Sequence, residues 1–431
     1  MKKQFIYLIQ GGAKFMYTNK SKKKHIFLAS PHMSEEGYEQ RFVKEAFDTN
    51  WIAPLGKNVN EFEKEICAKT GAKAAVALSS GTAAIHLALK LTGLKKEDIV
   101  FCSSLTFSAS ANPIIYEGGI PVFIDSDEKT WNMSPEALEK AFIKYQSIGK
   151  KPRAVIVVHL YGMAADMAAI MKICRKYQCP VIEDAAESLG TCYQLDIKSE
   201  KRHLGTFGDY GILSFNGNKI ITCSGGGMLL CNTEDAEEKA KKALYWATQA
   251  REPARWYQHT ELGYNYRMSN VVAGIGRGQL MVLEQHVEKK RELYQTYKEK
   301  IGCLSGVLLM PMQENVYSNC WLTAIRLDSS CPVKPIELMD ALAGDDIESR
   351  PVWKPMHLQP FFSKYDFVTQ LQEPLQITNA DNGADNSIAG SIFDGGVCLP
   401  SDTKIEAEDM KRICNVIENL WKQKESYVYE S

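Results

Sequence analysis

Residues Arg153–Gly190 read RAVIVVHLYGMAADMAAIMKICRKYQCPVIEDAAESLG. Two apolar runs, RAVIVVHL and PVIEDAA, flank a stretch over Ala164–Tyr177 with helical periodicity. An apolar run without alternation is a strand buried on both faces, and two such strands joined by a helix form a parallel βαβ unit. Crossovers of this kind are right-handed and bring their strand C-termini to one edge. Asp184 ends the second strand, beside Glu183 and Glu187.

The same alternation extends upstream. SEEGYEQRFVKEAFDTN and VNEFEKEICAKT read as helices, the second closed by Gly71. AAVALSS is a strand and TAAIHLALKLTGL a helix. DIVFCSS and IPVFIDS are strands separated by the helical FSASANPIIYEG. The pattern predicts an α/β fold whose mainly parallel sheet is covered by helices on both faces. Downstream, one long helix is expected to begin near Asn270 and run through EQHVEKKRELYQTYKEKI. It would lead into a smaller C-terminal α+β domain ending in EAEDMKRICNVIENLWKQK. The polar run near 370–390 reads as a surface insertion. The expected division is a disordered tail over 1–24, a large domain over 25–280 and a small domain over 281–431.

Composition narrows the function classes. Of 431 residues, 51 are Lys or Arg and 52 are Asp or Glu, so no basic excess points to nucleic acid. The opening MKKQFIYLIQ resembles a leader, but its apolar run Phe5–Ile9 is shorter than the roughly 7–15 residues of a signal core or the roughly 20 of a membrane span. Met16 is an alternative start. Twelve cysteines occur without a CxxC pair, in strand or helix contexts such as Cys67, Cys174, Cys231 and Cys414. They read as reduced thiols of a cytoplasmic protein. No HExxH-type helix or other metal motif is present, so no metal and no membrane partner are expected.

Three segments fall at strand ends, where open α/β sheets bind ligands. Ser80-Gly81-Thr82 closes a strand and opens a helix, which suits a phosphate. Asp184 is a carboxylate at the end of a buried strand and needs a cationic or hydrogen-bonding partner. In GILSFNGNKIITCSGGGMLL (Gly211–Leu230), Ser214 and Lys219 flank Asn216-Gly217, itself a hairpin signal beside which a lysine is usually solvated. Pyridoxal 5'-phosphate asks for these parts together: a phosphate cradle, an acid for the pyridine nitrogen, an amine for the aldehyde, and an aromatic for the ring face. Phe107 is the candidate aromatic.

The motifs SSGTAAIHLAL, LTFSASANPI, VIEDAAESLG, SFNGNKIITCSGGGM, GYNYRMSN and ESRPVWKPMHLQPFF occur in an order that resembles the DegT/DnrJ/EryC1/StrS sugar aminotransferases. The resemblance implies the type I fold of pyridoxal-phosphate enzymes. It implies Lys219 as the lysine that carries the cofactor and Asp184 as partner of the ring nitrogen. It implies Gly81, Thr82 and Ser214 at the phosphate, Ser80, Glu187 and Asn216 near the cofactor, Phe107 over the ring, and Asn265 reaching the phosphate of a second subunit's cofactor in a homodimer. Many members have Gln where this chain has Glu187. EDAAESLG, SFNGNKIIT and RPVWKPMHLQP resemble the subgroup that aminates UDP-4-keto-6-deoxy-N-acetylhexosamines in bacillosamine-type pathways. L-glutamate would be the donor, with pyridoxamine 5'-phosphate as the intermediate cofactor form. Asn50 and Trp51 on one loop, and Arg350, Trp353 and His357 on another, are the expected substrate contacts. A related dehydratase would carry histidine in place of Lys219, and a sensor or scaffold would have lost Lys219, Asp184 or the phosphate motif.

Overall fold

Every residue of Ala154–Val158 and Val181–Asp184 is buried, as unalternating apolar runs require. In the computed structural model, which describes residues 23–196, 198–371, 385 and 387–430, these segments are strands β4 and β5. They pair in parallel with Val158 opposite Asp184. The large sheet has the order β1 (Ala74–Leu78), β9 (Gly227–Cys231), β8 (Tyr210–Ser214), β5, β4, β2 (Ile99–Ser103), β3 (Ile120–Ile124) and β14 (Phe367–Val368). Pairing is parallel from β8 to β14, and β9 runs antiparallel to both its neighbours. Alternate side chains enter opposite layers. Phe101, Val155 and Leu213 join one buried cluster, while Val100, Ile156 and Ile212 join the other.

A second, antiparallel sheet has the order β10 (Val307–Leu309), β12 (Thr323–Leu327), β15 (Gly396–Leu399) and β13 (Arg350–Pro351). With helices Leu283–Ile301, Pro335–Gly344 and Ala407–Glu430 it encloses a third cluster that includes Tyr297, Ile325, Leu342 and Trp421. Three short strands, β6 (Cys192–Tyr193), β7 (Arg202–His203) and β11 (Val316–Tyr317), form a third sheet.

The chain crosses between these bodies. Ile26 bridges Ile347 and packs in the cluster of the small sheet, whereas β14 comes from the C-terminal part and extends the large one. Lys23 and Lys24, expected in the tail, contact Asp345 and Asp409 instead, the latter at 2.6 Å. The rest of the expected tail and the core of the polar run, 372–384, lie outside the described residues.

Two local expectations change. The long helix is two, Asn270–Leu280 and Leu283–Ile301. The first carries glycines on its packed side: a Cβ on Gly278 would collide with the backbone of Tyr38 and Glu39, and one on Gly276 with the Phe62 ring. It closes with tight bonds, Met281 N–H to the Gly278 carbonyl (3.2 Å) and Val282 N–H to that of Gln279 (3.1 Å). The second helix then packs on the small sheet through Leu293, Tyr297 and Ile301. The hairpin at Asn216-Gly217 is also wider than its signal suggests. β8 and β9 do pair, but Ser214 lies opposite Gly227 and residues 215–226 form the connecting loop. Ile220 and Ile221 in that loop are buried in the core rather than paired in a strand.

Candidate active site

β5 and β8 end side by side, Asp184 opposite Ile212, and Ser214 follows two residues later. β1 ends at the same edge and passes through Ser79-Ser80 into helix Gly81–Leu91. These ends enclose a cavity of about 440 Å³ whose lining includes Ser80, Thr82, Asp184, Glu187, Ser214 and Lys219. Gly81, Phe107, Asn216 and Trp353 also line it.

Lys219 is not solvated. Its side chain is 12% exposed, and Nζ lies 3.1 Å from Oε1 of Glu187, which is 5% exposed. The ammonium also sits 4.0 Å from the centroid of the Trp321 ring, within cation–π range. The turn is pinned on both sides: Lys219 N–H donates to the Asn216 carbonyl (3.0 Å), and the Trp321 indole donates to the Asn218 carbonyl (2.7 Å). The second oxygen of Glu187 accepts the Tyr161 N–H at 2.7 Å, and Tyr161 holds a left-handed φ of 53°. Burial pushes the Glu187 carboxyl above its ordinary range, against the pull of the Lys219 ammonium.

Asp184 is oriented by the Ser110 hydroxyl, which donates to Oδ2 at 2.6 Å, and by the Ala186 N–H at 3.2 Å from Oδ1. Its neighbour Glu183 has another task. It accepts backbone N–H groups from Gly205, Phe207 and Gly208 and a bond from His159 Nε2 at 3.0 Å. Because the Ala165 N–H donates to His159 Nδ1, the imidazole proton is on Nε2. Glu183 thus fastens the loop before β8.

At the helix start the Ser80 hydroxyl accepts the Ala83 N–H at 3.0 Å. The first N–H groups of a helix have no partner within it and attract anions. Gly81 faces Ser214, whose Cβ would be 3.3 Å from an added Cβ, and a side chain on Gly227 would collide with the Ser80-Gly81 backbone. Gly227 therefore lets β9 pass directly under the helix start.

Among the other expected contacts, Phe107 and Trp353 meet at the cavity with ring centroids 5.5 Å apart. The remainder are elsewhere. His357 is taken up in packing, with Nδ1 2.6 Å from the Ser104 hydroxyl and its ring stacked on Phe367. Arg350 is exposed beside Glu348 on β13. Asn50 and Asn265 are exposed, and Trp51 lines a separate groove of about 740 Å³ with Leu55, Thr248 and Asn270. None of these five lines the cavity of its own chain. Trp321, Tyr161 and Ser110 escaped the sequence reading. Trp321 lies in the part expected to be the small domain, and no local spacing ties it to Lys219.

The profile of the DegT/DnrJ/EryC1/StrS aminotransferase family matches residues 33–418. The chain belongs to that family. EpsN of Bacillus subtilis, which carries the name of a pyridoxal phosphate-dependent aminotransferase, is 49% identical over 92% of this chain and 96% of its own. The GDP-perosamine synthase of Escherichia coli O157:H7 is 33% identical over 93% of this chain and 100% of its own. A DegT/DnrJ/EryC1/StrS aminotransferase of Brucella abortus superposes with a TM-score of 0.77 at 25% identity, covering 89% of this chain and 95% of that one. The fold is the type I fold, and this family member is a pyridoxal-phosphate-dependent sugar aminotransferase. The cavity suits the cofactor chemically. It joins a helix start for a phosphate, an oriented carboxylate for a pyridinium, an amine for an aldehyde and an exposed phenyl ring for the ring face.

Proposed function

We propose that the chain transfers the amino group of L-glutamate to C4 of a UDP-linked 4-keto-6-deoxy-N-acetylhexosamine, in the cytoplasm, for glycan or exopolysaccharide synthesis. The observation that carries the amine-transfer reading is the buried Lys219–Glu187 pair in one cavity with Asp184 and the Ser80-Gly81-Thr82 helix start. The UDP-sugar part rests on the resemblance of EDAAESLG and RPVWKPMHLQP to that subgroup.

When bound, the cofactor supplies an electron sink for the carbon that loses or gains the amine. Lys219 would hold it covalently through Nζ. Asp184 would keep a proton on the pyridine nitrogen by a charge-assisted bond. Gly81, Thr82, Ser80, Ser214 and Asn216 would meet the phosphate, and Phe107 would cover the ring. Once released, the Lys219 amine would remove a proton from the donor's α-carbon and later deliver one to the sugar's C4. Glu187 Oε1, 3.1 Å away, would accept a hydrogen bond from that amine and hold it in place. Asn265, absent from its own cavity, would serve the cofactor of a partner in a homodimer.

A second reading has an independent support. The GDP-perosamine synthase likeness favours a GDP-linked 4-keto acceptor. A coupled assay separates the two. Glutamate is supplied with the 4-keto sugar made from UDP-N-acetylglucosamine by a 4,6-dehydratase, beside GDP- and TDP-linked 4-keto sugars, and the amino product is read by mass spectrometry. Fastest turnover on the UDP sugar is expected. Faster turnover on either other sugar would move the acceptor, and none on all three with cofactor bound would refute the reading.

A further inference from the structure

Asp184 lines the cavity with only part of its carboxylate committed to the protein. Oδ1 accepts the Ala186 N–H at 3.2 Å, and Oδ2 accepts the Ser110 hydroxyl at 2.6 Å. Each oxygen of a carboxylate can accept a second bond, and that capacity is what a ligand in the cavity meets. An ionised carboxylate carries no proton, so the hydrogen between Asp184 and Ser110 belongs to Ser110. The Ser110 oxygen then has only lone pairs to offer the Thr106 hydroxyl, 2.7 Å away, and Thr106 is the donor of that bond. The result is a chain of fixed sense, from Thr106 to Ser110 to Asp184. Thr106 and Ser110 are both fully buried. Buried hydroxyls in series polarise one another, which strengthens the last bond of the chain.

The same residues close a turn. Ser110 ends the short helical turn Ser108–Ser110, and Phe107 immediately precedes it. The Ser110 N–H donates to the Phe107 carbonyl at 3.1 Å, while the two hydroxyls join Thr106 to Ser110 across it. Thr106 and Phe107 line the cavity, whereas Ser110 is behind the wall and reaches it only through Asp184. One stretch of five residues thus carries the exposed phenyl ring near its start and, at its end, the hydroxyl that aims the acid.

We propose that Thr106 and Ser110 are positioning residues: their hydroxyl chain fixes the rotation of the Asp184 carboxylate, and the turn they close places Phe107, so that a single turn governs both the acid for the ring nitrogen and the phenyl for the ring face. This rests on the cofactor roles of Asp184 and Phe107 given above and adds what aims them.

Two readouts on the holoenzyme test it. With pyridoxal 5'-phosphate labelled with nitrogen-15 in the ring, the NMR resonance of that nitrogen reports whether it holds a proton. It should stand at the protonated position in the wild type and move toward the unprotonated one in Ser110→Ala and, less far, in Thr106→Val. A single turnover with glutamate, followed by cofactor absorbance, should slow about tenfold to a hundredfold in Ser110→Ala, as expected for one lost hydrogen bond to a charged group. Ser108→Ala, which removes a hydroxyl of the same turn outside the chain, should change neither readout. In an Asp184→Asn background, Ser110→Ala should slow the reaction no more than about twofold further, because it acts through that carboxylate. A wild-type resonance and rate in Ser110→Ala, equal losses in Ser108→Ala, or the full Ser110→Ala penalty on top of Asp184→Asn would each overturn the proposal. If Ser110→Ala does not fold, Thr106→Val decides, and an unmoved resonance there overturns it. An unprotonated ring nitrogen in the wild type would remove the role of Asp184 itself, a distinct failure.

Discussion

At the scale of the residue, Glu187 is the informative side chain. Its two oxygens answer two donors, the Lys219 ammonium at 3.1 Å and the Tyr161 N–H at 2.7 Å. A glutamine has one acceptor for those two donors. Glu187→Gln should therefore strand a buried donor and lower stability by about 1–3 kcal/mol, measured by urea unfolding of the cofactor-free protein. An unchanged midpoint would contradict the pairing. The pH dependence has a definite sign. Burial raises the folded carboxyl above its ordinary 4.5, so the folded chain takes up this proton at higher pH than the unfolded chain. Its contribution is fully present below the unfolded value and is lost as pH rises through the folded one. Because Glu187→Gln has no proton to lose, the stability gap between wild type and variant should narrow as pH rises above the ordinary carboxylate range, and a gap independent of pH would count against the raised carboxyl. For Asp184, the Ser110 bond fixes direction rather than charge. Asp184→Asn should retain the cofactor with affinity reduced by about 1.5–3 kcal/mol and lose far more in turnover, because the ring stops accepting electrons well. Near-normal turnover would argue against its role.

At the scale of the element, the contact between β9 and the start of helix Gly81–Leu91 sets the geometry of the helix start proposed to meet the phosphate. A methyl group at Gly227 meets the Ser80-Gly81 backbone, whereas one at Gly225 meets nothing within 4 Å. Gly227→Ala should cost about 1–3 kcal/mol by overpacking and weaken cofactor retention, while Gly225→Ala should be close to neutral in both. Equal behaviour in dialysis and unfolding would refute this contact as the cause. The strands behind it were readable because β2 to β5 are continuous apolar runs ended by polar residues, and a parallel sheet has a single edge for such ends. What sequence could not supply was direction across distance. Ser110 reaches Asp184 and Trp321 reaches Lys219 only because different elements converge, and no spacing encodes that. The helix break at Met281-Val282 was hidden because apolar periodicity continues through it, while the glycines that seat the first helix look like ordinary helix residues. RPVWKPMHLQP delivered one cavity residue, Trp353, whereas His357 was claimed by Phe367 of β14, a strand too short to announce itself.

At the scale of the whole molecule, the chain leading into the small antiparallel sheet is fastened to the site through Trp321. Its indole holds the Asn218 carbonyl, and its own carbonyl accepts the Lys290 ammonium at 2.9 Å; that ammonium also reaches the Ser401 carbonyl at 2.6 Å. Lys290 is buried, and burial brings its ammonium down to about 8. Lys290→Met would leave two buried carbonyls without a donor, an expected loss of about 2–4 kcal/mol in urea unfolding, and a variant as stable as wild type would show that the link is dispensable. The same architecture makes a claim about the reactive lysine: among the described residues, Lys219 is the only lysine that lines the cavity with Glu187, Trp321, Asp184 and a helix start. Borohydride reduction of the intact holoenzyme, followed by peptide mapping of every lysine, tests that claim most directly. The account predicts the reduced cofactor on the peptide containing Lys219 and no label in Lys219→Ala; label on any other lysine of the wild type, or label that survives in the variant, would contradict it.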